Sequence, residues 1–216
     1  EGVKFHNGDV MTADDVYFSL QRSLNSSYSS GISGSIDHFE KVGDMAVKCV
    51  LKHPYSPILD VMTNMTYGIV SKRAVEEAEA KGIDFARNPC GTGAYKMKEW
   101  KSGDALYLER FEDYYQGPAN IRHLTYKLVP DAASGAIALE DETLDAYYLV
   151  APADYEYLKS LDYISHVECA GVGLHHITFN VTDGIFKDKR IRQAVAYALN
   201  RDDIVLGGAE GYAEAG

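Results

Sequence analysis

Residues 88 to 100, NPCGTGAYKMKEW, set two glycines around a threonine directly after a proline and a cysteine. That combination admits a phosphate cradle, a reactive thiol or a turn. A phosphate loop spaces its residues as GxxxxGK[ST], and a dinucleotide fingerprint as GxGxxG opening a helix. Neither spacing occurs, and Ala94-Tyr95-Lys96-Met97 continues as a strand pattern. Gly91 and Gly93 are therefore expected to supply positive-φ turn geometry. A nucleophilic Cys90 would need an activating partner, and no histidine stands near it in sequence, so a packed structural thiol is expected.

The other residues able to do chemistry are scattered. His175 and His176 are adjacent, and in a strand neighbours point to opposite faces, so at most one of them enters any one site. His6, His38, His53, His123 and His166 show no HxxxH or HxH grouping that would hold a metal. The carboxylate pairs Asp14-Asp15 and Asp202-Asp203 fall in the first turns of expected helices, where the helix dipole accounts for them. No GxSxG elbow is present. Cys49, Cys90 and Cys169 are far apart and odd in number, which excludes a CxxC site and a full disulfide framework. No residue is assigned a catalytic role, and neither a cofactor nor a metal is expected.

The 32 acidic against 21 basic residues give a net charge of −11 with no basic cluster, which argues against a nucleic-acid partner. No run approaches the 18 or so apolar residues of a membrane span. The opening residues, EGVKFHNGDV, lack the basic flank and apolar run of a secretory signal, and both ends read as cuts in a longer chain. Sixteen tyrosines stand out, because a flat apolar ring with a polar tip suits an adaptable binding surface as well as a core rim.

Elements must position these residues. Thr12 caps a helix over about 13 to 24 whose apolar face is Val16, Tyr17, Leu20 and Leu24. The Ser/Gly-rich stretch 25–39 reads as a loop exposing Tyr28. Val47, Cys49 and Leu51 alternate as a strand, and SKRAVEEAEAKG is a charged helix closed by Gly82. AYKMKEW, ALYLERF and HLTYKLVP are expected to be neighbouring strands of a meander. Asp131 caps a helix carrying Ile137 and Leu144, LDAYYLV is a short strand, and Pro152 begins another helix. SHVECAG and LHHITFNV return to strand, KDKRIRQAVAYAL is an amphipathic helix, and Asn200 caps a last one.

Seven stretches in order resemble the extracytoplasmic solute-binding proteins of family 5, which serve oligopeptide, dipeptide and nickel ABC transporters. They are EGVKFHNGDVMTADDVYFSLQR, VLKHPYSPIL, IVSKRAVE, NPCGTGAYKMKEW, LERFEDYYQGPANI, LVPDAASGAIALEDETLDAYYL and FNVTDGIFKDKRIRQAVAYALNRDDIV. Three positions depart from the family pattern: Cys90 stands where a small or branched apolar residue is usual, Ala94 where proline is, and Phe111 where asparagine often is. The resemblance implies an α/β, periplasmic-binding-protein-like fold of type II in the peptide-binding cluster, with a mixed sheet and an inserted subdomain. Only part of the two-lobed fold would be present. Residues 1–90 would be the inserted subdomain of the first lobe, 91–180 that lobe's mixed sheet, and 181–216 the start of the second lobe.

The function implied is capture of a peptide or similar small solute in an interlobe cleft and delivery to an ABC permease and its ATPase. Nickel or a metal complex is the alternative cargo, and a piece without independent binding activity is another reading. The place implied is outside the cytoplasm, in the periplasm or lipid-anchored at the outer face through a missing N-terminal anchor. By position in the family pattern, His176, Tyr148, His175, Tyr147 and Tyr28 are the candidate ligand contacts, each with core packing as its alternative. Unpaired strand edges in a partial fold would invite self-association.

Overall fold

The computed structural model describes residues 2–31, 33–148, 150–169, 171, 173 and 176–215. The chain divides into two compact units, Glu1–Leu128 and Val129–Gly216.

In the first unit, helix α1 (Ala13–Leu24) starts where expected. The Asp15 carboxylate accepts the Thr12 N–H at 3.0 Å and the Thr12 hydroxyl at 2.7 Å, occupying a donor that the helix start leaves unpaired. Its apolar face packs Leu20 against Ile36, Phe39 and Tyr67, with Val16, Tyr17 and Leu24 alongside. Ile36 and Phe39 belong to β1 (Ile36–Val42), which pairs antiparallel with β2 (Ala46–Leu51). This hairpin corrects the reading of 25–39 as loop, because a register irregularity between Ile36 and His38 breaks the strict alternation that marks a strand. Some of the serines before it are packed rather than solvated. Ser29 and Ser33 are buried, with Ser33 Oγ donating to the Ser29 carbonyl at 2.8 Å and meeting the Tyr67 hydroxyl at 2.6 Å.

A short helix α2 (Ile58–Met62) adds Ile58, Val61 and Met62 to the same core. Helix α3 (Lys72–Ala80) is capped by Ser71, whose Oγ accepts from Ala74 N–H at 3.2 Å, and it closes at Gly82 with φ +64°. Then β3 (Tyr95–Lys101), β4 (Ala105–Arg110) and β5 (His123–Lys127) form the expected antiparallel meander. Gly103, at φ +78°, turns β3 into β4, a geometry that a side chain would strain.

The second unit is helical among its described residues: α4 (Ala132–Glu140), α5 (Pro152–Lys159), α6 (Lys189–Ala198) and α7 (Arg201–Ala209). Asp131 caps α4 through the Ser134 N–H at 2.8 Å, but α4 ends at Glu140 and leaves Leu144 beyond it. Asn200 caps α7 through the N–H groups of Asp202 and Asp203 at 3.1 and 3.4 Å. The three strands expected at 144–150, 165–171 and 174–181 do not occur among the described residues. A strand needs a partner to take up its backbone groups, and no described segment pairs with them. Val167, Ile177 and Val181, which alternation would turn inward, are instead exposed.

Candidate functional site

In the second unit the adjacent tyrosines 147 and 148 separate in role. A Cβ placed on Gly135 of α4 would collide with the Tyr147 ring, which lies directly on the helix where only glycine leaves room. Tyr147 is half-buried and committed to packing, whereas Tyr148 is 84% exposed and presents its ring to solvent. His176 is exposed in an irregular segment, so the alternation argument for adjacent histidines does not hold there. His175 lies outside the described residues.

The second unit also holds a set of phenol–carboxylate pairs with no linear signature. Tyr157 donates to Glu140 Oε1 at 2.5 Å and Tyr163 to the Glu140 carbonyl at 3.2 Å, joining the end of α4 to α5 and the turn after it. Tyr155 donates to Glu168 at 2.7 Å, and Tyr212 to Glu156 at 3.2 Å, with the Tyr155 and Tyr212 rings edge to face at 5.4 Å. The Glu168 carboxylate that accepts its proton pushes the Tyr155 phenol up to about 12. Tyr157 and Tyr212 are raised in the same direction, so with Tyr155 they act as hydrogen-bond donors to these carboxylates.

In the first unit Tyr28 sits in a single helical turn, Ser27–Ser29, and is 89% exposed. An open groove of about 430 Å³ lies between the start of α1 and the tip of the β1–β2 hairpin, lined by Val10, Met11, Ala13 and Met45, with Lys41 and Asp14 also at its wall. None of the tyrosines or histidines singled out from the sequence lines it.

The loop 88–93 resolves differently from its expectation. Neither Gly91 nor Gly93 has a positive φ, which corrects the turn-geometry reading. A Cβ at either would meet only ordinary contacts, 3.7 Å to the Ile69 carbonyl and 3.9 Å to the Tyr95 carbonyl. The loop is held by backbone: Gly91 bridges Val70, and its carbonyl accepts the His6 N–H at 2.9 Å. The fold thus brings a histidine to Cys90 from 84 positions away (90 − 6), a proximity hidden in the sequence. It does not make a thiolate, because burial pushes the Cys90 thiol up and both imidazole nitrogens are engaged by Gly91 and Gly93. Cys90 is a buried free thiol.

Comparison with known proteins adds the context. The model of the bacterial extracellular solute-binding proteins, family 5 Middle, matches residues 1–216. The oligopeptide-binding protein AppA of Bacillus subtilis is 32% identical over 213 residues, covering 95% of this chain and 39% of AppA. The structure of AppA in complex with a nonapeptide superposes with a TM-score of 0.83 at 30% identity, over 97% of this chain and 43% of that one. NikZ from Campylobacter jejuni, solved in complex with Ni(L-His), superposes with a TM-score of 0.78 at 26% identity, over 99% of this chain and 43% of that one. The chain thus spans about two-fifths of the length of these relatives, and its fold is the α/β, periplasmic-binding-protein-like one that the sequence implied.

Proposed function

We propose, for a chain that belongs to the family 5 bacterial extracellular solute-binding proteins, that it serves as the substrate-capturing part of an ABC importer and takes a peptide as cargo. The observation that carries this is the family match from residue 1 to residue 216, with an oligopeptide-binding relative at 32% identity over nearly the whole chain. On this reading residues 1–90 are a subdomain inserted in the first lobe, 91–180 belong to that lobe's sheet, and 181–216 begin the second lobe. The protein works outside the cytoplasm, in the periplasm or lipid-anchored at the outer face of the cell membrane, and hands its cargo to a permease driven by an ATPase. No described helix is long and apolar enough to cross a membrane.

The mechanism is a population shift. Ligand favours the closed arrangement of two lobes over the open one by its differential affinity, and no bond is made or broken. Peptide main-chain groups supply the affinity through hydrogen bonds, and hydrated pockets accept varied side chains. Tyr148 and His176 are the residues of this chain proposed to face that cargo, followed by His175 and Tyr28. Tyr147, seated on Gly135, is the remaining candidate, with packing as its alternative role.

A nickel–histidine cargo is the second reading, favoured by the likeness to NikZ. Among the described residues no three His, Cys, Asp or Glu side chains gather to hold a bare metal ion, so such a cargo would enter as a complex. Titration calorimetry of the full-length protein with a nonapeptide, with the dipeptide Met-Leu and with Ni(II) plus L-histidine separates the readings. Peptide heat alone is the expected result. Heat with nickel–histidine alone would favour the second reading, and no heat with any of the three would overturn both.

A further inference from the structure

His6 joins three parts of the first unit. Its imidazole Nε2 donates to the Gly93 carbonyl at 3.0 Å, its Nδ1 accepts the Gly91 N–H at 3.4 Å, and its ring meets Phe111 edge to face at 5.2 Å. Only the neutral ring with its proton on Nε2 satisfies both bonds, since a second proton on Nδ1 would point at the Gly91 N–H. The surroundings offer an imidazolium little. Lys96 on β3, itself paired with Glu109 of β4 at 3.1 Å, repels it, while Asp9 is engaged by Arg73 at 2.6 Å and Asp113 by Lys4 at 2.9 Å. Next to the clasp lies Cys90, 7% exposed, whose carbonyl takes the Ser71 N–H at 3.0 Å.

We propose that His6 is a pH-operated latch: proton uptake at Nδ1 breaks its side-chain bond to Gly91, leaves the loop 88–93 on the backbone bonds from His6 and Ser71, and so raises the frequency with which Cys90 is uncovered. Burial, aided by Lys96 and opposed by the Gly93 carbonyl, holds the proton affinity of the folded imidazole below that of an ordinary histidine. The sign follows. A depressed folded value leaves the latch fully closed above the ordinary histidine range and weakens it as the pH falls from that range through the folded value.

The test is the rate at which 4,4′-dithiodipyridine labels each cysteine of the full chain between pH 8 and pH 4.5, resolved by peptide mass. Exposed Cys169 corrects for the reagent, and half-buried Cys49, which lies against the α1–β1 core, reports global unfolding. The expected result is a Cys90 rate, relative to Cys169, that rises about tenfold per unit of pKa difference between latched and released states while Cys49 stays slow. Its midpoint should coincide with the His6 titration followed by NMR. His6→Gln keeps a donor for Gly93 without titrating, so its Cys90 rate should not respond to pH. A flat wild-type profile, a midpoint away from the His6 titration, or the same pH response in His6→Gln would overturn the latch.

Discussion

The Asp15 carboxylate accepts the backbone N–H of Lys72 at 3.0 Å, so one side chain serves the first turns of two helices 57 positions apart. Its other oxygen takes the N–H and hydroxyl of Thr12 at the start of α1, while Lys72 begins α3. Removing it leaves N–H groups at both helix starts without this partner. Asp15→Ala should lower the unfolding free energy by about 2 kcal/mol, at the upper end of a single cap loss. Urea denaturation measures it, with Asp14→Ala as the comparison. Asp14 is an exposed carboxylate paired with Lys41, and its loss should move the midpoint far less.

The seat of Tyr147 on Gly135 makes a second prediction of opposite sign to the usual rule. Glycine to alanine within an exposed helix normally gains about 0.5–1 kcal/mol. At Gly135 the new methyl meets the Tyr147 ring, so Gly135→Ala should instead destabilise the second unit by about 1–3 kcal/mol, as overpacking does. Combining it with Tyr147→Leu should recover part of the loss, and a thermal-melt cycle of the two singles and the double reads that coupling. Additive singles would show that the ring does not rest on this glycine.

These two cases mark how far the sequence can be read. Thr12 and Asp15 are three positions apart before an apolar face, a local signal, and the bounds of α1 follow from it. The contact from Asp15 to Lys72 has no local signal. The meander was legible because period-two alternation and the Ser102-Gly103-Asp104 turn coincide. The strands expected around Tyr148 and His176 rested on short local segments alone, and a strand also requires a neighbour. The glycines at 91 and 93 suggested a turn, whereas their environment is set by His6 from the other end of the unit. Tyr147 and Tyr148 are identical by type, and only the bare surface of α4 at Gly135 tells the packed ring from the free one.

His38 makes a pH prediction whose sign is opposite to that of His6. Glu40 at 2.9 Å and Asp37 at 2.7 Å both hold its imidazolium, and raise its value above that of an ordinary histidine. A raised folded value means that its contribution is complete below the ordinary histidine range and is lost as the pH rises through the folded value. An NMR titration should place His38 above and His6 below the ordinary value. Replacing His38 with Gln should remove its part of the stability change that sets in as the pH rises from the ordinary histidine range, with little effect in alkaline solution. An equal value for both rings would contradict the environments described.

The residues proposed to face the cargo give the last prediction. Tyr148 is 84% exposed, so removing its ring costs the free protein almost no packing, and any loss must come from the ligand. If the ring rests against a peptide, Tyr148→Ala in the full-length protein should weaken nonapeptide binding about tenfold, or about 1.4 kcal/mol, with an unchanged melting temperature in the absence of peptide. His176→Ala should weaken it by a similar factor. Tyr147→Ala should behave differently, lowering the ligand-free melting temperature first because it strips the cover from Gly135. Calorimetry beside thermal melts distinguishes the two patterns. Unchanged affinity in both Tyr148→Ala and His176→Ala would remove these residues from the binding wall and leave the family role to other parts of the protein.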